Sequence, residues 1–299
     1  MSLLVVGSTA FDSIETPFGK REMCLGGSST YFSFAASLFS EVRLVSVVGE
    51  DFPSEHRELL QSHGVKLDGL EVAPGKTFFW SGKYSDDMNQ RETLDVQLNT
   101  FGGFAPKVPD SFRDTKLVFL ANGAPQTQAT VLDQLPHAQF TVADTMNLWI
   151  ENERDALEAL LRRVDGIILN DEEAKMLTGE TNLIKAGRKV LEHGPKLAIV
   201  KKGEHGAFLF SIFFQHALPA YPTDAVVYPT GAGDSFAGGF MGYLAESESL
   251  SLWNMQRAMA YGTVTASVTV EGFGVDAIAG ADRKAIERRY SELIQFISL

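Results

Sequence analysis

Short apolar runs, each ending at a glycine or a polar residue, recur along the chain. They cover residues 3–6, 44–48, 117–121, 166–169 and 197–200. Runs that are apolar throughout, without alternation, are typical of parallel strands whose sheet is covered by helices on both faces.

Segments with apolar residues at helical spacing lie between and after these runs. Phe236, Phe240, Tyr243 and Leu244 form one stripe along a helix face, and residues 286–297 carry another. Strands that alternate with helices predict a layered α/β fold with a mainly parallel central sheet.

Two segments do not fit this alternation of strands and helices and predict a β-hairpin. Residues 77–84 and 91–98 are rich in β-branched and aromatic side chains, and the polar stretch 86–89 between them favours a turn. Residues 11–24 would add short strands beside the hairpin. The pattern is equally consistent with a small β-lid over an α/β body and with an ordinary surface hairpin. No interdomain linker is visible, so we expect residues 1–299 to form one domain.

The charge and the single cysteine narrow the possible functions. The chain has 26 Lys and Arg residues against 38 Asp and Glu residues, a net charge of −12. An acidic protein repels phosphate backbones, so we expect neither a nucleic-acid partner nor a membrane partner. Cys24 is the only cysteine, which excludes an intrachain disulfide and a thiolate zinc cluster. The first residues lack the basic stretch of a secretory signal, which favours the cytoplasm.

Residues 229–240 (Pro-Thr-Gly-Ala-Gly-Asp-Ser-Phe-Ala-Gly-Gly-Phe) place a glycine-rich turn directly before an amphipathic helix. The N–H groups at a helix start point outward and favour a negatively charged ligand. Gly231 and Gly233 would let a phosphate approach the backbone, and Asp234 could take a proton from a hydroxyl. Alone, the pattern also fits a tight turn followed by a capping aspartate.

Motifs of other enzyme classes are missing. The P-loop pattern GxxxxGK[ST] is absent, and Phe236 stands where a dinucleotide-binding motif has its third glycine. The serine-hydrolase motif GxSxG and the zinc-protease motif HExxH are absent as well.

Four weaker candidates lie elsewhere in the chain, each with a structural alternative. Asp12 follows the first strand, where α/β sheets bind ligands, although many such residues only form turns. Gly26, Gly27 and Ser28 indicate the start of a second helix. Asn170 and Glu173 have the spacing of a capping box. Residues 201–206 indicate a strand end followed by a turn. Asn170 and Glu173 could alternatively organise a magnesium ion and its waters.

Together these motifs resemble, in order and spacing, the ribokinase-like (PfkB) family of carbohydrate and nucleoside kinases. Residues 229–240 resemble the family's C-terminal signature, usually D-[T/P]-T-G-A-G-D-x-F-x-G-G. Residues 26–31 resemble its Gly-Gly motif, 170–173 its N-x-x-E motif and 201–206 its strand-end glycine turn. The resemblance implies a ribokinase-like three-layer α/β/α sandwich in which a small β-lid, built from about 11–24 and 77–98, closes over the acceptor.

The resemblance further implies phosphorylation, by ATP with Mg²⁺, of a hydroxymethyl group on a small sugar or sugar-like alcohol. Asp234 would be the general base, and the backbone of Gly231, Ala232 and Gly233 would form the anion hole. A nucleoside kinase on the same fold and a non-catalytic nucleotide- or sugar-binding regulator are the alternatives. A homodimer through the lid is a further expectation.

By the same resemblance, each remaining site residue would bind either the acceptor or the nucleotide. The acceptor would be held by Asp12, Gly26 and Gly27, with Ser28 and Asn122 as weaker neighbours. The nucleotide would be bound by Asn170, Glu173, Lys201 and Gly203, with Glu173 reaching the magnesium ion through water.

Two tyrosines depart from the family pattern. Tyr228 stands where the family usually has an aspartate that helps to bind a monovalent cation, so we expect little activation by potassium. Tyr31 stands where an asparagine often touches the sugar, and it could stack on a base, cover a sugar ring or fill the core. Together with Ala10, where ribokinase itself has asparagine, this departure disfavours ribokinase proper.

Overall fold

The computed structural model describes residues 1–86, 88 and 91–298. Its strands are β1 (Leu3–Val6), β2 (Ala10–Thr16), β3 (Gly19–Gly26), β4 (Val42–Val48), β5 (Val65–Val72), β6 (Phe78–Tyr84), β7 (Arg91–Gln97), β8 (Leu117–Leu120), β9 (Phe140–Asp144), β10 (Gly166–Asn170), β11 (Leu197–Lys201), β12 (Ala207–Ser211) and β13 (Gln215–Leu218). Its helices are α1 (Ser28–Ser37), α2 (Ser54–Ser62), α3 (Pro125–Gln134), α4 (Asn147–Asn152), α5 (Arg154–Leu161), α6 (Asp171–Thr178), α7 (Leu183–Val190), α8 (Ala232–Ser247), α9 (Leu252–Thr269), α10 (Asp276–Ala279) and α11 (Arg283–Ile297).

The large sheet is mainly parallel, as the apolar runs predict. Its strand order is β13-β12-β11-β10-β9-β8-β1-β4-β5. The strands from β11 to β5 in that order run parallel, and β12 and β13 are added antiparallel at one edge.

Successive residues of each central strand enter opposite sides of this sheet, which produces two hydrophobic cores. Leu3 and Val5 belong to the core formed with α1, α8, α9 and α11, whereas Leu4 and Val6 belong to the core formed with α3, α5, α6 and α7. All four side chains are buried. The alternation is that of a β-strand, and it explains why these runs carry apolar residues on both faces. The three-layer α/β/α expectation is confirmed.

A second sheet, which we call the small sheet, has the order β3-β2-β6-β7. Strand β2 pairs antiparallel with β3 and parallel with β6, and β6 pairs antiparallel with β7. Its strands come from residues 10–26 and 78–97, the regions that depart from the helix-strand rhythm. Of the turn predicted at 86–89, Asp87 and Asn89 lie outside the described residues.

The carboxyl ends of the parallel strands meet at one edge of the large sheet and carry polar side chains. Asn170 ends β10 and is the register partner of Lys201, which ends β11. Asp144 ends β9 on the other side of β10. Ligands of open α/β sheets bind at this edge, so the fold brings three widely separated segments to one place.

None of the helices in the described ranges combines the length and the apolar character that crossing a bilayer requires.

Candidate active site

Helix α8 begins with a turn, residues 229–234, which we call the glycine turn. Gly231 is its N-cap and has φ of 81°, a left-handed conformation that side chains disfavour. The Ala232 N–H donates to the Pro229 carbonyl at 3.2 Å. Helix geometry leaves the N–H groups of Gly233 and Asp234 without intrahelical acceptors. Ala232, predicted as an anion-hole residue, can contribute its N–H only by sharing or releasing the bond to Pro229.

The ring of Tyr31 lies directly against Gly231. A Cβ atom placed on Gly231 would stand 2.3 Å from the Tyr31 ring, far inside van der Waals contact. Tyr31 is only 1% exposed, so of its three predicted roles the structure supports core filling. Burial raises the pKa of Tyr31 well above its usual value, with Tyr228 and Asp12 contributing.

Lys201 reaches from the end of β11 to the glycine turn and to three carboxylates. Its Nζ lies 3.7 Å from Oδ2 of Asp144. A Cβ atom on Gly233 would be 2.7 Å from the same Nζ, so the ammonium lies directly against the glycine turn. Burial opposes the charged ammonium, but Asp144, Glu173 and Asp234 outweigh that cost and raise the Lys201 pKa. Lys201 therefore stays protonated at neutral pH.

We call Asp144, Glu173 and Asp234 the carboxylate cluster. Burial, with the negative charge of Asp144, raises the pKa of Asp234 to about 8, although Lys201 acts in the opposite direction. Burial and Asp144 also raise the pKa of Glu173 to about 7. Burial raises the Asp144 pKa despite the opposing Lys201. Three acids share one nearby lysine, so the cluster has negative charge in excess when it is ionised.

Asn170 and Glu173 form a complete capping box at the start of α6. The Glu173 N–H donates to Oδ1 of Asn170 at 2.8 Å, and the Asn170 N–H donates to Oε2 of Glu173 at 2.8 Å. The capping interpretation is correct, and it does not exclude the predicted role of the same two residues in organising a magnesium ion. The box fixes the Glu173 carboxylate at the sheet edge that also carries Asp144.

The carboxylate cluster fits an indirectly held magnesium ion. Among the described residues, no group of three or more His, Cys, Asp or Glu side chains has the geometry to hold a metal directly. Mg²⁺ usually keeps several waters and binds through one or two carboxylates together with substrate phosphates. The excess negative charge around Asp144 and Glu173 suits a cation held in that way.

Asp12 lies on β2, a strand of the small sheet. It is 4% exposed, and its charge helps to raise the Asp234 pKa. Its carboxylate occupies the space that a side chain on Gly26 would fill, because a Cβ atom there would be 2.1 Å from Oδ2. Gly27, the N-cap of α1, packs against the Ser8 carbonyl, 2.4 Å from its own Cβ position. The predicted acceptor residues Asp12, Gly26 and Gly27 are thus adjacent.

Ser28 and Asn122 use their polar groups within the protein. Oγ of Ser28 lies 3.1 Å from Oγ of Ser8, and the Ser28 N–H donates to Oγ of Ser8 at 3.0 Å. Oδ1 of Asn122 accepts a hydrogen bond from the Trp149 indole at 2.9 Å, and its Nδ2 lies 3.2 Å from the sulfur of Met146. Both remain weaker candidates for acceptor binding.

Gly203 begins a short 3₁₀ turn two residues after Lys201. It has φ of 55°, and no atom lies within 4 Å of its Cβ position. The backbone there is open to solvent, and the role of Gly203 as a nucleotide-lining residue stays a prediction.

Sequence reasoning missed Asp144. The run from Phe140 to Ala143 ends at a polar residue, as the predicted strands do, but Thr141 interrupts it. The run at 44–48 already includes Ser46, and the same tolerance applied to Thr141, which is buried at 5% exposure, would have found this strand and its acidic end.

Comparisons with known proteins identify the family of this chain. The family model described as pfkB family carbohydrate kinase matches residues 22–279. A cytidine kinase from Thermococcus kodakarensis is 31% identical over 246 residues, covering 81% of this chain and 87% of the relative.

Two solved structures share the fold. A nucleoside kinase from Burkholderia thailandensis in complex with inosine superimposes with a TM-score of 0.81 at 19% identity, covering 97% of this chain and 96% of that one. A putative ribokinase II from E. coli in complex with ATP and Mg²⁺ gives a TM-score of 0.80 at 19% identity, covering 97% and 99%. The ribokinase-like fold is confirmed. Since the family model spans most of the chain, the chain belongs to the pfkB family of carbohydrate kinases and is a phosphotransferase with an alcohol acceptor.

Proposed function

We propose that the protein transfers the terminal phosphoryl group of ATP to a hydroxymethyl group of a nucleoside or a related sugar, with Asp234 as general base. The observation that carries this proposal is the position of Asp234. Its carboxylate lies in the first turn of α8, near both Lys201 and Asp12, with a pKa raised to about 8. A carboxylate with a pKa near neutrality is suited to accept a proton from a hydroxyl.

In the proposed reaction, Asp234 takes the proton of the acceptor hydroxyl as its oxygen attacks the terminal phosphorus. The bond from that phosphorus to the bridging oxygen breaks, and ADP leaves. The N–H groups of Gly233 and Asp234, with Lys201, stabilise negative charge on the transferred group. Asn170 and Glu173 would hold a magnesium ion through its waters. That ion supplies positive charge against the phosphate oxygens when bound.

Gly203 would border the nucleotide, and Asp12, Gly26 and Gly27 would hold hydroxyls of the acceptor. The small sheet would cover the acceptor, since Asp12 belongs to its strand β2. This assignment gives the small sheet the role of a lid.

The small sheet favours a nucleoside over a free sugar. Asp12, Trp80 and Val96 are register partners across β2, β6 and β7, so their side chains share one face. The Trp80 indole lies over Gly82, whose Cβ position is 2.3 Å from the ring. A flat apolar wall beside the hydroxyl-binding carboxylate suits a nucleobase, and the relatedness to a cytidine kinase supports the same class.

The test is ADP release from Mg-ATP with a panel of pentoses, hexoses and nucleosides, using the wild type and Asp234→Asn. We expect turnover with nucleosides to exceed that with free sugars. Loss of a general base should lower kcat by about 10²–10⁴-fold, while ATP binding is retained.

Folding of the variant is checked by its melting temperature. A raised carboxyl pKa means that ionising Asp234 destabilises the folded state as pH rises from 3.8 towards about 8. Asp234→Asn should therefore be at least as stable as the wild type at neutral pH. Near-normal turnover in the variant would refute the assignment of Asp234 as the general base. ATP binding without turnover on any acceptor would favour the alternative of a non-catalytic nucleotide- or sugar-binding regulator.

A further inference from the structure

Tyr84 joins the small sheet to the glycine turn. It is the last residue of β6 and is 7% exposed. Its hydroxyl is hydrogen-bonded to the hydroxyl of Thr230, the residue before the α8 N-cap. Its ring meets the Tyr228 ring edge to face, with centroids 5.8 Å apart and an interplanar angle of 90°. One side chain thus contacts the residues on both sides of Pro229.

The main body of the protein holds the same segment from the other side. The N–H groups of Val227 and Tyr228 both donate to the Val270 carbonyl, at 2.8 and 3.0 Å. The Tyr228 ring also stacks on Phe273, with centroids 6.2 Å apart. Pro229 restricts the backbone between these contacts, so the position of the turn depends on the body and on Tyr84 together.

Tyr84 shares a sheet face with the acceptor-binding carboxylate. Trp80 is the register partner of Asp12, and Tyr84 follows Trp80 by four residues on the same strand. Side chains at even spacing on a strand point to one side. A molecule bound at Asp12 therefore contacts the face of the sheet from which Tyr84 reaches the glycine turn.

We propose that Tyr84 is a positioning residue that couples acceptor binding at the small sheet to phosphate binding at the glycine turn. This inference rests on the proposed function, which assigns the terminal phosphate to that turn. An acceptor that orders the small sheet also orders Tyr84, and through Thr230 it orders the first N–H groups of α8. Coupling between two binding sites is reciprocal, so a bound nucleotide also strengthens acceptor binding.

The experiment compares the dissociation constant of AMP-PNP, a non-hydrolysable ATP analogue, with and without saturating cytidine or the best panel acceptor. In the wild type we expect the acceptor to tighten AMP-PNP binding. Tyr84→Phe keeps the ring and removes the hydroxyl. It should reduce this tightening and kcat by roughly fivefold, the factor that corresponds to one ordinary hydrogen bond. Acceptor-free binding of AMP-PNP should change less than binding in the presence of the acceptor.

Tyr243→Phe is the matched control. Tyr243 lies farther along α8, the helix that begins with the glycine turn, and its hydroxyl donates to Asn254 at 3.3 Å. This variant should leave the coupling intact. Thr230→Val should reproduce Tyr84→Phe without adding to it in the double variant, and Thr230→Ser should retain the coupling. The Thr230 series also tests the inference if Tyr84→Phe fails to fold.

The outcomes separate the two proposals. A wild type without turnover on any acceptor contradicts the proposed function. An active wild type whose coupling is absent, or is unchanged in Tyr84→Phe and Thr230→Val, overturns the role of Tyr84 alone.

Discussion

At the residue scale, the proposed chemistry depends on how Lys201 is shared among three acids. Lys201 faces Asp144, Glu173 and Asp234, and the last two have pKa values raised to about 7 and about 8. The charge of each acid is therefore set by its neighbours as well as by burial. Changing one neighbour should move the titration of the others in a direction that can be worked out in advance.

We expect the acceptor kcat/KM to rise with pH as Asp234 ionises, because a protonated carboxyl cannot act as the base. Asp144→Asn removes a neighbouring negative charge, lowers the Asp234 pKa and moves this rise to lower pH. Lys201→Met removes the opposing positive charge and moves it to higher pH. The measurement is kcat/KM against pH for the wild type and both variants, since kcat/KM reports the free enzyme.

The direction of movement distinguishes an electrostatic role from a structural one. A variant that only disturbs packing lowers the plateau of the profile without moving its midpoint. Midpoints that shift the same way in Asp144→Asn and Lys201→Met would contradict the assignment of the rise to Asp234.

At the element scale, two helices with asparagine caps allow structure and function to be separated. Asn170 caps α6 beside the carboxylate cluster, and Asn182 caps α7, accepting from the Lys185 N–H at 3.0 Å. Replacement of either by alanine should cost about 1 kcal/mol of unfolding free energy. Asn170→Ala should in addition raise the ATP KM several-fold, because the first turn of α6, which carries Glu173, loses the Oδ1 that accepts from the Glu173 N–H, and the Asn170 amide proposed on the nucleotide side is removed.

Denaturant unfolding and ATP kinetics on both variants make this comparison. Equal losses of stability with equal ATP KM values would leave Asn170 with a capping role only. A larger KM in Asn182→Ala than in Asn170→Ala would contradict the proposed nucleotide side of the site.

Periodicity predicted the elements well because each apolar run is buried on both faces, a property encoded within a few consecutive residues. The contacts that shape the site are not encoded in that way. Tyr31 meets Gly231, and Tyr84 meets Thr230, across long stretches of chain, and neither pair has a local signal. Asp144 was missed for a local reason, the threonine at 141. Motifs therefore indicated the candidate site, and only the fold showed how its parts contact each other.

At the scale of the whole molecule, the small sheet presents an edge strand with exposed apolar residues. Strand β7 ends the order of that sheet. Leu94 and Val96 on this strand, and Leu98 directly after it, are 53%, 49% and 51% exposed. Open edges with apolar side chains favour pairing with another chain, so we propose the homodimer expected from the sequence at this edge.

We expect the wild type to have the mass of two chains in solution and Leu94→Lys to shift it towards one chain. Phe213→Lys is the control, because Phe213 is 88% exposed in the β12–β13 connection and lies outside the small sheet. Light scattering across a concentration series measures the mass. A wild type that is monomeric throughout, or a control that dissociates as readily, would contradict the edge contact.

The contact between Tyr31 and Gly231 also has an evolutionary consequence. No side chain fits on residue 231 while the tyrosine ring occupies that space, and the left-handed backbone there penalises a side chain independently. A mutation at 231 therefore remains harmful even after residue 31 becomes smaller, whereas a smaller residue 31 costs only the cavity that it opens while 231 stays glycine. Descendants of this chain should diverge in one order only, at position 31 first, which makes the glycine the historically fixed partner of the pair.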